Sequence, residues 1–121
     1  MKLMLAVVAS ALLFPLKVAG EEPKHAWVVG TRYESAIQLE VFARLEAGES
    51  GYYELSAIKE GASGRSVNRQ AGSVPESEGE VLGPISISRF SVETGATLIV
   101  ELVVTSKSGS VYRDTVQFKG E

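Results

Sequence analysis

Short runs of alternating apolar and polar residues, Gly- and Ser-rich breaks between them, and no convincing helical stretch together predict an all-β chain. In a chain of this length the pattern implies an immunoglobulin-like antiparallel β-sandwich of about seven strands, joined by hairpins with Greek-key crossings. A signal peptide is expected to precede it.

The chain has 121 residues, no Cys, one His and a formal charge of −3. Its start differs from the rest. Lys2 leads into an apolar run of 14 residues over 3–16, followed by Lys17-Val18-Ala19-Gly20. Small residues at the −3 and −1 positions (Val18 and Gly20) complete a secretory leader over 1–20, cleaved after Gly20. The run falls short of the roughly 20 apolar residues that span a bilayer. What remains is a single domain over 21–121, 101 residues long (121 less the leader's 20). Lys2 and Lys17 leave with the leader, so 10 basic residues face 15 acidic ones and the charge becomes −5. An acidic exported domain lacks the electrostatic footprint for nucleic acid or an anionic membrane surface. Without Cys it cannot be a disulfide-stapled mini-domain, a thiol enzyme or a cysteine zinc site. An apolar core must stabilise it alone, for which about 100 residues suffice.

The first strand is His25-Ala26-Trp27-Val28-Val29, ending before Thr31 and Arg32. In the second, Ile37, Leu39, Val41, Ala43 and Leu45 alternate with Gln38, Glu40, Phe42 and Arg44. Ile37, Val41 and Leu45 also suit one face of a helix, but five residues match the strand period against three for the helix. Gly48-Glu49-Ser50-Gly51 makes a turn, 52–59 a third strand, and Gly61-Ala62-Ser63-Gly64 a second turn in which both glycines can take positive φ. The polar stretch 65–71 is expected at a sheet edge, as a ribbon paired with the third strand. Residues 76–80 form a solvated acidic loop. Pro84 leaves Val81-Leu82 and Ile85-Ser86-Ile87 as two short strands or one broken edge strand. The nearly continuous apolar run 97–105 fits a central strand covered on both faces. Lys107-Ser108-Gly109-Ser110 turns it, and 111–119 returns with Tyr112, Val116 and Phe118.

Catalytic constellations are missing from this pattern. The single His, His25, stands at the ragged start of the domain, and no Ser occupies a Gly-x-Ser-x-Gly elbow. Glu76, Glu78 and Glu80 offer oxygen ligands but lack the spacing of a calcium loop, so solvation explains them better. No enzymatic activity, metal or cofactor is expected. The binding candidate is the ribbon over 52–70, where Tyr52 and Tyr53 accompany Lys59, Arg65, Ser66, Arg69 and Gln70 in an otherwise acidic domain. Such a ribbon can add to an extended partner through its backbone. The competing explanation is that edge strands carry charge simply to avoid aggregation.

Around this ribbon the sequence resembles the CsgH family, the alphaproteobacterial curli-assembly inhibitors related in role to CsgC. The resemblance rests on Gly51-Tyr52-Tyr53-Glu54-Leu55, on Lys59-Glu60-Gly61-Ala62-Ser63-Gly64-Arg65-Ser66, and on Gln70-Ala71-Gly72. It continues through the acidic loop and the 98–105 strand closing on Ser108-Gly109. Ser73-Val74 stands where the pattern has a large apolar residue directly after Gly72, and the Cys-x-Cys of many CsgC proteins is missing, as in CsgH. The resemblance implies a periplasmic immunoglobulin-like sandwich that holds a curli major subunit, a CsgA-like amyloid protein, out of amyloid. It further implies a transient, substoichiometric contact made by a monomer. The alternative is an exported immunoglobulin-like structural or adhesion module without chaperone activity. Expression with the leader intact in a Gram-negative host should yield a periplasmic product whose N-terminal sequence begins at Glu21; a retained residue 1 would refute the cleavage assignment.

Overall fold

The computed structural model describes residues 25–121. The leader over 1–20 lies outside them. Seven strands follow in order: β1 (Ala26–Tyr33), β2 (Ala36–Ala43), β3 (Gly51–Gly61), β4 (Gly64–Val74), β5 (Leu82–Ser91), β6 (Thr97–Ser106) and β7 (Val111–Lys119). They form a three-stranded sheet ordered β1-β2-β5 and a four-stranded sheet ordered β4-β3-β6-β7, with every pairing antiparallel. In the constant-type immunoglobulin arrangement the fourth strand joins the first sheet. Here the two-residue turn Ala62-Ser63 holds β4 against β3 from Gly61↔Gly64 to Gly51↔Val74, so it stays in the second sheet.

Alternation decides which face of each strand is dry. Ile37, Leu39, Val41 and Ala43 of β2 meet Leu98, Val100, Leu102 and Val104 of β6 in the core, with Tyr53, Leu55 and Ala57 from β3. Leu45 is buried too, continuing the alternation past the end of β2 and settling the strand-or-helix ambiguity for the strand. Val74, Val92 and Ala96 close the core beyond the strand centres.

Several expectations are corrected. β1 runs through Thr31 and Arg32, because its turn is Glu34-Ser35, where Glu34 takes φ 52° without a glycine to signal it. Of the glycines flanking the β3–β4 turn, Gly64 alone has positive φ (124°). Of the two alternatives for β5, one broken edge strand holds: it is a single strand at a sheet edge with a register shift opposite Val41 and Ala43. β6 is central but not covered on both faces: Leu98 and Leu102 are fully buried, whereas Ile99 is 37% exposed and Glu101 is exposed. Among the described residues no helix packs on the outer face of its sheet, so that face is wet.

Within the acidic loop Ser77 is fully buried while Glu76, Glu78 and Glu80 are exposed. Its backbone N–H donates to Glu49 O at 2.7 Å and its carbonyl accepts from Gly48 N–H at 2.6 Å. Its hydroxyl donates to Leu45 O at 3.3 Å and accepts from Gly79 N–H at 2.9 Å. A buried polar residue with every group satisfied thus anchors the β4–β5 loop to the β2–β3 loop.

The wet and dry faces of β6 have a direct consequence. Leu102→Ala should destabilise by about 2–5 kcal/mol through the cavity it leaves, and Ile99→Ala by about 1 kcal/mol or less. Equal losses for the two in urea unfolding would contradict the exposure of the β6 outer face.

Candidate functional site

The ribbon is built by β3 and β4, which pair without a register break along their full lengths. Directly opposed residues in an antiparallel ladder share a face. The outer face therefore carries Tyr52, Glu54, Ser56, Ile58 and Glu60 of β3 beside Ser73, Ala71, Arg69, Val67 and Arg65 of β4. The opposite face carries Tyr53, Leu55, Ala57 and Lys59 beside Gly72, Gln70, Asn68 and Ser66.

This parity divides the predicted binding residues. Tyr52 is 55% exposed on the outer face, but Tyr53 is 8% exposed and belongs to the core, so it is removed from the contact surface. Its ring lies against Gly72, the residue opposite, where a Cβ would stand 2.7 Å from the ring carbon Cε1. The Gln-x-Gly element thereby has a packing role: glycine makes room for an aromatic ring at the sheet edge. Ser73 then points outward and Val74 inward, fully buried, so the expected apolar residue is present one position later.

Lys59 lies on the inner face at the open end of the sandwich. Its Nζ donates to Ser91 O at 2.9 Å and pairs with Glu93 Oε1 at 3.5 Å. Ser63 Oγ donates to Glu93 Oε2 at 3.0 Å. Glu93, just past β5, therefore holds both β3 and the tip of the β3–β4 hairpin, and Lys59 bridges the two sheets. Gln70 also faces inward, accepting from Ser86 Oγ of β5 at 3.2 Å and donating to Asn68 Oδ1 at 3.2 Å.

Arg65 and Arg69 remain on the outer face. Arg65 Nε pairs with Glu60 Oε2 at 3.0 Å, across the ladder and solvent-exposed, an arrangement of small energetic value. Arg69 forms no ion pair among the described residues. Tyr52 stands at the far end of the ribbon, eight positions from the Glu60 that faces Arg65, or roughly 27 Å at strand rise. The structure brings together Arg65 and Arg69, and separately Ser66 and Gln70. It does not gather all seven residues into one site.

Two features of the outer surfaces escape a sequence reading of charge. Between the arginines, Val67, Ile58 and Ile99 stand in one row across β4, β3 and β6, with Val67 44% and Ile99 37% exposed. Parity was the available signal, since Val67 shares the phase of Arg65 and Arg69. On the other sheet Trp27 stacks on Phe42 with centroids 5.8 Å apart, and Arg89 lies over the Tyr33 ring at 4.7 Å. Phe42 occupies a wet-phase position in β2, the only aromatic there. His25 stacks on Tyr112 at 4.5 Å, and its Nδ1 lies 2.9 Å from Arg44 O, a packing role at the start of β1. Among the described residues no group of three or more His, Cys, Asp or Glu is placed to hold a metal ion.

No family model and no curated protein matches the sequence. Among solved structures, the E. coli curli protein CsgC superposes with a TM-score of 0.63 at 9% identity, covering 77% of this chain and 97% of that one. R. palustris CsgH superposes with a TM-score of 0.56 at 19% identity, covering 77% and 86%. The fold is CsgC/CsgH-like. The two-sheet sandwich expected from the CsgH resemblance is thus present, and no helix of the described residues is long and apolar enough to cross a membrane.

The Glu93 carboxyl is held below its ordinary value of 4.5, chiefly by a hydrogen bond from its own backbone N–H, then by Ser63, with Lys59 adding attraction. A depressed carboxylate stabilises the fold above its unfolded-state value, and the stabilisation is lost as pH falls through the lowered folded value. The hairpin-tip amides of Ala62, Ser63 and Gly64 should accordingly exchange faster as pH drops below 4.5, after correction for intrinsic exchange. Glu93→Gln should abolish that dependence; an unchanged acid response in the variant would show that another group is responsible.

Proposed function

We propose that this protein acts in curli biogenesis, as an exported factor that binds a curli subunit, its early oligomers or its fibril ends and delays amyloid growth. One observation carries the reading. A chain whose fold matches a curli protein over nearly the whole of that protein presents a long, regular edge strand with Arg65 and Arg69 on its exposed face. The likeness in fold supplies the curli connection, and the edge supplies the chemistry.

Amyloid grows by adding strands to exposed N–H and C=O groups. A sandwich that offers one compatible edge can occupy a growing end, while the rest of its surface provides no template for the next subunit. Capping ends instead of monomers works below equimolar ratio. Exposed arginines favour a partner with exposed carboxylates and accelerate encounter, an effect that salt screens over roughly 10 Å at 0.1 M. The activity is binding, with no bond made or broken, and the exported compartment is the periplasm. The adhesion-module alternative differs in stoichiometry, since it needs a fixed partner in constant proportion.

A thioflavin time course of a curli major subunit with substoichiometric protein tests this. The lag should lengthen severalfold, and the effect should shrink with added salt. Arg65→Ser combined with Arg69→Ser should lose most of the delay while retaining the β-sheet circular dichroism of the parent. Lys59→Ser should retain the delay, because that ammonium is engaged between the sheets. Unchanged growth with the parent protein would sink the proposal.

A further inference from the structure

The sandwich has four strand edges, and they are not equivalent. β1 and β7 lie against each other across the core. The backbone N–H of Val28 in β1 donates to Asp114 Oδ2 of β7 at 3.0 Å, and the Phe118 ring fills the space where a Cβ on Gly30 would project. An inward carboxylate on an edge N–H blocks strand addition at that point of β1. β5 is interrupted by Gly83-Pro84 and by the register shift opposite Val41 and Ala43, which break a continuous ladder. β4 has neither device. It runs eleven residues in register with β3, contains no proline, and is exposed from Gly64 to Arg69.

We propose that β4 accepts one extended partner segment as a fifth strand of its sheet, and that its two faces specify the chemistry of that segment. This deepens the binding reading above and depends on it only for the identity of the biological partner. On the outer face Arg65, Val67 and Arg69 form a cation–apolar–cation row. A neighbouring strand matches it with carboxylate, apolar and carboxylate side chains at alternate positions. On the other face Ser66, Asn68 and Gln70 form a hydroxyl–amide–amide row, in which the Asn68 and Gln70 side chains are already hydrogen-bonded at 3.2 Å. Amide side chains on the partner extend such a ladder. The specified segment alternates acidic and apolar residues on one face with Gln or Asn on the other. The outer row is symmetric about Val67, so it accepts that segment parallel or antiparallel.

Three end-capped peptides test the inference against the exported, leader-free protein. The parent is Gln-Glu-Asn-Val-Gln-Glu-Thr. The second has the same side chains with alternate backbone nitrogens methylated, and the third carries Lys for both Glu. Amide NMR should show parent-induced shifts confined to β4 and its neighbour β3. The methylated peptide should bind about tenfold more weakly for the loss of two or three edge hydrogen bonds, and the Lys peptide should weaken by a similar factor through charge repulsion. Equal binding of methylated and parent peptides, or shifts centred on β7 or the other sheet, overturns strand addition. No parent binding at millimolar concentration in a protein that still delays curli fibril growth also overturns it and leaves the functional reading intact. Edge-specific binding without any delay of fibril growth supports it and removes the functional reading instead.

Discussion

The dry seam between the two sheets is the constraint on which the rest of this molecule depends. With no cysteine to staple the chain and, among the described residues, no helix to cover either sheet, burial is confined to the faces that the two sheets turn toward each other. The facing rows of β2 and β6, from Ile37 to Ala43 and from Leu98 to Val104, are therefore uniformly apolar. The outer face of each sheet is left to solvent. A one-residue slip in either strand would exchange core for surface, so the seam also fixes register. Every assignment of a side chain to a binding surface follows from that parity.

The same parity divides the ribbon. Adjacent tyrosines fall on opposite sides of the sheet, and the Tyr53 ring is buried against Gly72 while Tyr52 stands in solvent. Lys59 differs from Arg65 and Arg69 in the same way: being on the inner face at the end of the sandwich, it joins β3 to Ser91 and Glu93. A cluster of cations in the linear sequence thus resolves into one structural lysine and two surface arginines. The edges are partitioned as well. Asp114 satisfies a backbone donor on β1 and a register shift with Pro84 breaks β5, whereas β4 runs eleven residues with neither.

Local pattern carried most of the fold. The alternation over 37–45 located β2 and its buried face, the glycine-flanked turn at 61–64 located the β3–β4 hairpin, and the polar run after it identified an edge. Three features were not readable locally. The Glu34-Ser35 turn has no glycine, so the local pattern ends β1 too early. Ser77 looks like any residue of an acidic loop, and its burial depends on carbonyls and amides from residues 45–49. The apolar run of β6 reads as doubly covered because Ile99 and Val103 resemble core residues, whereas among the described residues no third layer covers their face.

The sequence by itself determined the strand count, the hairpins, the cysteine-free core and the residues available for binding, because period-two alternation and turn chemistry are local properties of the chain. Tertiary structure decided which of those residues share a surface and which edge remains open. Both depend on how strands distant in sequence meet: Asp114 with Val28, Lys59 with Glu93, Gln70 with Ser86. Such contacts arise from the packing of two sheets across one seam, and no local periodicity encodes them.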